Sequence, residues 1–352
     1  MPAVVQKVLL AQPRGFCAGV EMAIKALTWM TRVFPPPVYC YHQIVHNASV
    51  VAAFEAAGVV FVDDIEIVPP GAPVMLSAHG SSPEVGKAAR ERTAVVVDAV
   101  CPLVTKVHHE VRRMAAEGYD ILYVGHEGHD EAVGTIAEAP HAVTLVDPER
   151  GLGGFSPADP RRVALVAQTT LGHHEWEEVL GEASGRFASL WTARKSDLCY
   201  ATTNRQAAVE VLAARADLVL VVGSASSSNT RALVRVARAS GTGAYRIDGP
   251  ASIEPSWVER AEVVGVTAGA SAPDRSVQKV IRRLAPRDGV EVVAVGAEDE
   301  YFPPPPQLRA MLLALQAAVE GGYGARHPGR PGPLDDDRSW GAAEALDLLT
   351  PE

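Results

Sequence analysis

The sequence predicts an α/β fold of three small, pseudo-repeated lobes, each built on a largely parallel sheet. Three observations predict it. Short apolar runs alternate with helical patterns from end to end, as when parallel strands are joined by crossover helices. The succession cysteine, helix, strand, polar loop, helix, strand, polar loop occurs three times, a repeat of element types with little identity between copies. The strand-like runs all end in polar loops, and in open α/β sheets the ligand site lies outside the carboxyl ends of the strands.

In the first copy Cys17 precedes "AGVEMAIKALTWM", where Val20, Ile24 and Leu27 share one helical face, and the strands are "VYCYHQIVHN" and "APVMLSAHGSS". In the second, Cys101 precedes "PLVTKVHHEVRRM", with Val104, Val107, Val111 and Met114 on one face, then "DILYVGHEGHDE" and "VALVAQTTLGHH". The third runs from Cys199 through "YATTNRQAAVEVLA" to "DLVLVVGSASSSN" and "VVGVTAGASAPD". The expected lobes are therefore 17–101, 102–197, and 1–16 with 198–315. If they meet with their loop ends facing one another, six polar loops and three cysteines converge on one central cavity. "YFPPPPQLRAMLLALQAAVE" reads as a proline-set turn entering a helix. The glycine, proline and charge of "GGYGARHPGRPGPLDDDRSW" predict a tail, 316–352, that is disordered or loosely docked.

Composition narrows the function. The 352 residues are 47% hydrophobic and 21% charged, as in soluble globular proteins. With 32 Lys and Arg against 42 Asp and Glu, a formal charge of -10, nucleic acid and anionic membranes are not expected partners. The N-terminus lacks a basic region followed by an apolar one, and no apolar run nears the roughly 20 residues of a membrane span. A cytoplasmic protein with reduced thiols is expected, because four dispersed cysteines do not make a disulfide scaffold.

A thiolate beside a helix N-terminus is favoured by the exposed N–H groups there. One such cysteine means little, since cysteines are common core residues, and Cys40, mid-strand in "VYCYH", is assigned to packing. Three in the same context, Cys17, Cys101 and Cys199, point to a shared ligand. They could hold zinc with one position open, or three irons of a cubane cluster. Zinc sites usually include a close pair such as Cys-x2-Cys, which is missing. Cysteines this far apart suit a junction of lobes, and three of them leave the fourth iron of a cluster available to act as a Lewis acid on a substrate hydroxyl.

Three near-matches fail. "GSSPEVGKA" is one residue too long for a P-loop, "HEGH" one short of the zincin helix, and "GLGGF" lacks a strand-to-helix context. What remains are polar loops: His46 and Asn47, His79, His129 and Glu131, Gln168 and Thr169, Ser227, Ser228 and Asn229, and Ser271. Each alone could be a cap or turn. Together, imidazoles, hydroxyls and an amide with few carboxylates suit a phosphate or diphosphate, and a lone glutamate beside it suits proton transfer. Of His108 and His109 one is expected at the surface, as are His173, His174 and His327.

"PRGFCAGV", "IVHN", "SAHG", "CPLVTKVH", "GHEGH", "QTTL", "CYATTNRQ", "SSSN" and "GVTAGASAPD" occur in order from about residue 8 to about residue 310. This set resembles the signature of the 4-hydroxy-3-methylbut-2-enyl diphosphate reductase (LytB) family, which ends the methylerythritol phosphate route to isoprenoids. The resemblance implies three α/β lobes around one 4Fe-4S cluster held by Cys17, Cys101 and Cys199. It implies diphosphate binding by His46, His79, Ser227, Ser228, Asn229 and Ser271, a further substrate-site histidine at His129, and proton delivery by Glu131 with Thr169. Thr202 and Asn204 would lie near Cys199.

Val100 stands where the family usually has threonine, Ser81 replaces a typical valine, and the aspartate-arginine pair that often follows the first cysteine is missing. The tail after about residue 315 has no family counterpart. The implied reaction is reductive dehydroxylation of an allylic diphosphate to isopentenyl and dimethylallyl diphosphate, fed by a one-electron donor such as ferredoxin or flavodoxin. Two rivals are a mononuclear zinc hydrolase acting on a phosphorylated substrate and a non-catalytic iron–sulfur redox protein.

Overall fold

The structure, a computed structural model, describes residues 5–193, 196–323, 334 and 336–349. β1 (Lys7–Gln12) leads through the Cys17 turn into α1 (Ala18–Val33), β2 (Val38–Tyr41), α2 (Ala48–Ala56), β3 (Val59–Val62), β4 (Val74–Leu76), α3 (Pro83–Arg92) and β5 (Val96–Asp98). Next come α4 (Pro102–Ala116), β6 (Asp120–Val124), α5 (Asp130–Ala137), β7 (Val143–Val146), β8 (Val163–Ala167), α6 (His173–Arg186) and β9 (Leu190–Thr192). The third run is α7 (Tyr200–Ala213), β10 (Leu218–Val222), α8 (Ser228–Ala239), β11 (Gly243–Ile247), α9 (Pro255–Val258), β12 (Val263–Ala268), α10 (Asp274–Leu284) and β13 (Val290–Ala294). α11 (Pro306–Tyr323) and α12 (Ala342–Asp347) follow.

The strands form three sheets, ordered β3-β2-β4-β5, β7-β6-β8-β9 and β11-β10-β12-β1-β13. All their pairings are parallel. The first two share one strand order. The third repeats it with β1 inserted before the last strand, so the repeat of element types is a repeat of topology. Where the sequence pattern suggests two strands per copy, each sheet has two more at its edges, and the third has β1 besides. The central strands are legible because burial on both faces makes them continuous apolar runs: β8 and β10 are buried at every position. Edge strands such as β3 and β7 alternate with exposed residues and leave a weaker signal.

The chain groups into two compact units, Met1–Cys17 with Leu103–Asp299, and Ala18–Pro102 with Glu300–Glu352. The first holds the second and third sheets. In its five-stranded sheet Val8 and Leu10 join Val277 and Val280 on one face, while Leu9 and Ala11 face Leu212 and Leu233 on the other. Around β6 and β8, Leu122, Val124 and Leu165 meet Trp176 and Val179 of α6, and Ile121, Tyr123 and Val166 meet Val107, Val111 and Met114 of α4. The second and third sheets fall in one unit because their loops are bonded to each other: Cys199 N–H donates to the Thr169 carbonyl at 3.0 Å, and Gln168 Nε2 to Ser228 Oγ at 3.2 Å.

In the other unit Val74 and Leu76 pack with Val62, Ile65, Val68 and Ala89. The tail departs from the expectation of loose docking where it is described; 324–333 and His327 lie outside the described residues. Lys25 of α1 donates to Asp337 Oδ2 at 2.8 Å and to the Asp337 carbonyl, and Tyr301 Oη donates to the same Oδ2 at 2.7 Å. Trp340 stands edge-on to Trp29, with centroids 6.1 Å apart, and Ala342, Ala345 and Leu346 are buried. Composition hides this because the anchor is an ion pair satisfied only in the folded chain, with Lys25 and Asp337 4% and 2% exposed. Asp337→Ala leaves Lys25 buried without its counter-ion and is expected to cost about 3–5 kcal/mol of unfolding free energy. Lys25→Met with Asp337→Leu is expected to recover most of that loss, as urea denaturation of the full chain would measure.

Candidate functional site

In the larger unit the polar loops follow the carboxyl ends of the central strands. β6 leads to His126, His129 and Glu131, β8 to Gln168 and Thr169, β10 to Ser227, Ser228 and Asn229, and β12 to Ser271. At the ends of β10 and β12 only glycine fits. A Cβ on Gly223, whose φ is +155°, would lie 2.3 Å from Thr230 Oγ1, and one on Gly269 2.1 Å from the same atom. α8 can therefore start tight against the strand ends, with Ser227 Oγ capping it by accepting from Thr230 N–H at 3.3 Å.

One hydrogen-bonded series joins most of the predicted site residues of this unit. Thr169 N–H donates to Glu131 Oε1 at 2.7 Å and Thr169 Oγ1 to Oε2 at 3.0 Å. The Thr169 carbonyl accepts from Cys199 N–H. Cys199 Sγ lies 3.3 Å from Thr202 N and 3.1 Å from Thr202 Oγ1. Asn229 Nδ2 donates to Thr202 Oγ1 at 3.3 Å, Asn229 Oδ1 accepts from Ala270 N–H at 3.1 Å, and the Ala270 carbonyl accepts from Cys17 N–H at 3.3 Å.

Proton directions follow from that series. Ala270 N–H can only donate, which fixes the Asn229 amide with Nδ2 toward Thr202. Thr202 Oγ1 then accepts from Asn229 and, when Cys199 is ionised, donates its own proton to the sulfur, which as a thiolate receives two donors. Even so, burial and then the charge of Cys17 push the Cys199 thiol up to about 11. A thiolate at Cys199 that feels the charge of Cys17 needs positive charge nearby, which a metal centre supplies, so Cys17 and Cys199, two of the three predicted ligands, fit a metal.

Glu131 is 2% exposed and is displaced as well. Burial pushes its carboxyl up to about 7 against the two bonds from Thr169, and the charge of Asp197 adds to the rise. His129 caps α5, its Nδ1 accepting from Glu131 N–H at 3.2 Å. That bond leaves the imidazole proton on Nε2.

Because the folded pKa of Glu131 stands above the ordinary 4.5, the unfolded chain releases this proton first as pH rises. Its contribution to stability is therefore intact below pH 4.5, falls between 4.5 and about 7, and is fully lost above. The loss is of order 3 kcal/mol. Urea unfolding of Glu131→Gln beside wild type is expected to show the variant gaining on wild type from pH 4.5 to 8, and equal pH dependences would refute the assignment.

In the smaller unit the rings of His46 and His79 stack with centroids 4.0 Å apart and planes at 15°. Asn47 Oδ1 caps α2 by accepting from Ser49 and Val50 N–H at 3.1 and 3.2 Å. Cys101 N–H donates to the Ala78 carbonyl at 3.0 Å, placing that cysteine beside the His79 loop. Val100 N–H bonds Asp98 Oδ1 at 3.1 Å. Cys40 is fully buried in β2, and burial pushes its thiol far up, in accord with packing.

Residues 8–285 match the family model described as LytB protein. The chain belongs to the LytB family. It is 47% identical over 312 residues to the 4-hydroxy-3-methylbut-2-enyl diphosphate reductase of Acidothermus cellulolyticus, covering 88% of this chain and 92% of that one. With the reductase of the same name from Mycolicibacterium paratuberculosis it shares 46% identity over 308 residues, covering 87% and 93%. Among solved structures it resembles the E-1-hydroxy-2-methyl-but-2-enyl-4-diphosphate reductase from Plasmodium falciparum, with a TM-score of 0.85 at 31% identity over 89% of this chain and 99% of that one.

All the predicted site residues of this LytB chain fall within the matched span, while α11 and α12 lie beyond it. Sequence reasoning missed three residues that support the site. Asp197, 5% exposed, accepts from Ala167 N–H at the end of β8 at 3.2 Å; burial and then the neighbouring Glu110 push its carboxyl up to about 7. Arg205 is fully buried behind the Cys17 turn, and Glu298 pairs with it at 2.9 Å. The available signal was Arg205 inside "CYATTNRQ" and Asp197 two residues before Cys199, neither of which announces burial. Asn204 bonds Glu298 at 3.1 Å. His108 is buried against Glu138 at 2.8 Å, and His109, His173 and His174 are exposed.

Proposed function

We propose that this LytB chain is a cytoplasmic 4-hydroxy-3-methylbut-2-enyl diphosphate reductase, converting the allylic diphosphate to isopentenyl and dimethylallyl diphosphate. The observation that carries the reading is the direct link from a buried, proton-holding Glu131 through Thr169 to Cys199. A 4Fe-4S cluster held by Cys17, Cys101 and Cys199 would supply single electrons and an iron with an open position. Iron–sulfur chemistry agrees with membership of the family, and among the described residues no helix is long and apolar enough to cross a membrane.

The chain's own residues divide the remaining work. Ser228 Oγ accepts from Gln168, and a hydroxyl occupied in that way has its proton left to donate to phosphate oxygen. Ser227, Ser271 and Asn229, with His46 and His79, complete the diphosphate-binding set. His129, with its proton on Nε2, is a donor for a substrate oxygen. The reaction takes up two electrons and two protons, breaks the allylic C–O bond and releases water. Glu131, protonated near neutral pH, delivers through Thr169 Oγ1 the proton that leaves with the oxygen: Thr169 Oγ1 donates to Oε2 when the carboxyl is ionised, and the bond reverses when Oε2 carries the proton, so the hydroxyl accepts from the carboxyl while donating onward. The second proton goes to carbon at either end of the allylic unit, which accounts for two products. Electrons come from a one-electron protein donor such as ferredoxin or flavodoxin.

Anaerobic purification followed by assay with the allylic diphosphate and a chemical reductant tests the proposal. Brown protein with about four irons that forms both products is expected. Colourless protein with a single zinc, or an iron–sulfur protein inert toward the diphosphate, would overturn it.

A further inference from the structure

Arg205 lies in the second turn of α7, the helix that starts beside Cys199, and is 0% exposed. Taking a guanidinium fully out of water costs several kcal/mol unless its donors are matched, and here they are. Nε and Nη2 donate to the Gly15 carbonyl at 3.2 and 2.8 Å, and Nη2 also to the Phe16 carbonyl at 3.3 Å. Nη1 donates to the Ala201 carbonyl at 2.9 Å and to both oxygens of Glu298 at 2.9 and 3.2 Å.

The carbonyls it grips belong to the turn that carries Cys17. Gly15 has a φ of +68°, and a Cβ there would come within 3.1 Å of the Ala272 carbonyl, so the turn is pressed against the loop after β12. Gly15 N–H and Cys17 N–H donate to the Ala268 and Ala270 carbonyls of that loop at 3.4 and 3.3 Å. The turn is thus bonded on its N–H side to the β12 loop and on its carbonyl side to Arg205. Arg205 also holds the first turn of α7 through Ala201, two residues past Cys199. One planar fork spans the supports of both sulfurs, a geometry that lysine, with a single nitrogen, cannot reproduce.

We propose that Arg205 is the positioning residue that fixes the Cys17 turn against the Cys199 helix, with Glu298 holding the guanidinium in place, so that retention of the metal centre depends on it. The inference rests on the reading of Cys17 and Cys199 as cluster ligands. Its test compares wild type, Arg205→Lys and Glu298→Gln after anaerobic reconstitution. The readouts are iron per chain, the rate of iron loss to a ferrous chelator, the EPR spectrum of the reduced cluster, and the melting of the metal-free chains.

Arg205→Lys is expected to lose iron about 10–100-fold faster than wild type, with an altered EPR spectrum and a cooperative melt of the metal-free chain. Glu298→Gln, which keeps an oxygen for Nη1, is expected to lie between the two. Iron loss and EPR spectra equal to wild type in Arg205→Lys overturn the proposal. Should Arg205→Lys fail to fold, Glu298→Gln decides: faster iron loss with unchanged melting supports the clamp, and unchanged iron loss overturns it. Wild type that takes up no iron would instead overturn the cluster reading, and the clamp with it.

Discussion

Glu131→Gln is expected to lower turnover by about 10²–10⁴-fold while the visible absorption of the cluster and its iron content stay at wild-type levels. Glutamine retains an oxygen for Thr169 N–H, which bonds Glu131 Oε1 at 2.7 Å, so the loop keeps its shape. What it lacks is a transferable proton. Wild-type turnover should fall as pH passes about 7, where the Glu131 carboxyl empties, and the residual turnover of the variant should lose that limb. Near-normal turnover in Glu131→Gln would remove Glu131 as the proton source.

Cys199→Ser is expected to abolish stable iron binding. A serine hydroxyl does not ionise near neutral pH, and its oxygen is a poorer partner for iron than a soft thiolate. The two donors from Thr202 would then satisfy a neutral oxygen. Anaerobic preparations should be pale, with iron well below that of wild type, while Cys40→Ser, changed inside the β2 core, should stay brown. An intact four-iron spectrum in Cys199→Ser would contradict the ligand assignment. Cys17→Ser and Cys101→Ser are expected to behave as Cys199→Ser does.

The three-fold pattern of cysteine, helix and strand was legible because its parts are local. β8 and β10 are apolar at every position since both faces of a central parallel strand are covered. The helical spacing of Val104, Val107, Val111 and Met114 reports one buried face of α4, and all four are buried. The candidate site was legible as residue types in loops after those strands. Edge strands such as β3 were not, because their half-exposed sequence differs little from loop.

By itself, then, the sequence determined the α/β class, the succession of the central strands along the chain, the cysteines placed before helices and the polar loops that follow the strands. Each depends on periodicity and on residues adjacent in the chain. Tertiary structure decided what depends on partners far apart in sequence. It raised the Glu131 carboxyl to about 7 by burying it, and set Thr202 Oγ1, which accepts from Asn229, to donate to a Cys199 thiolate. It closed Arg205 on the Gly15 carbonyl and anchored the described part of the tail by pairing Asp337 with Lys25. Burial, proton direction and ion pairing are set by what the fold brings against a residue, and no local pattern encodes that.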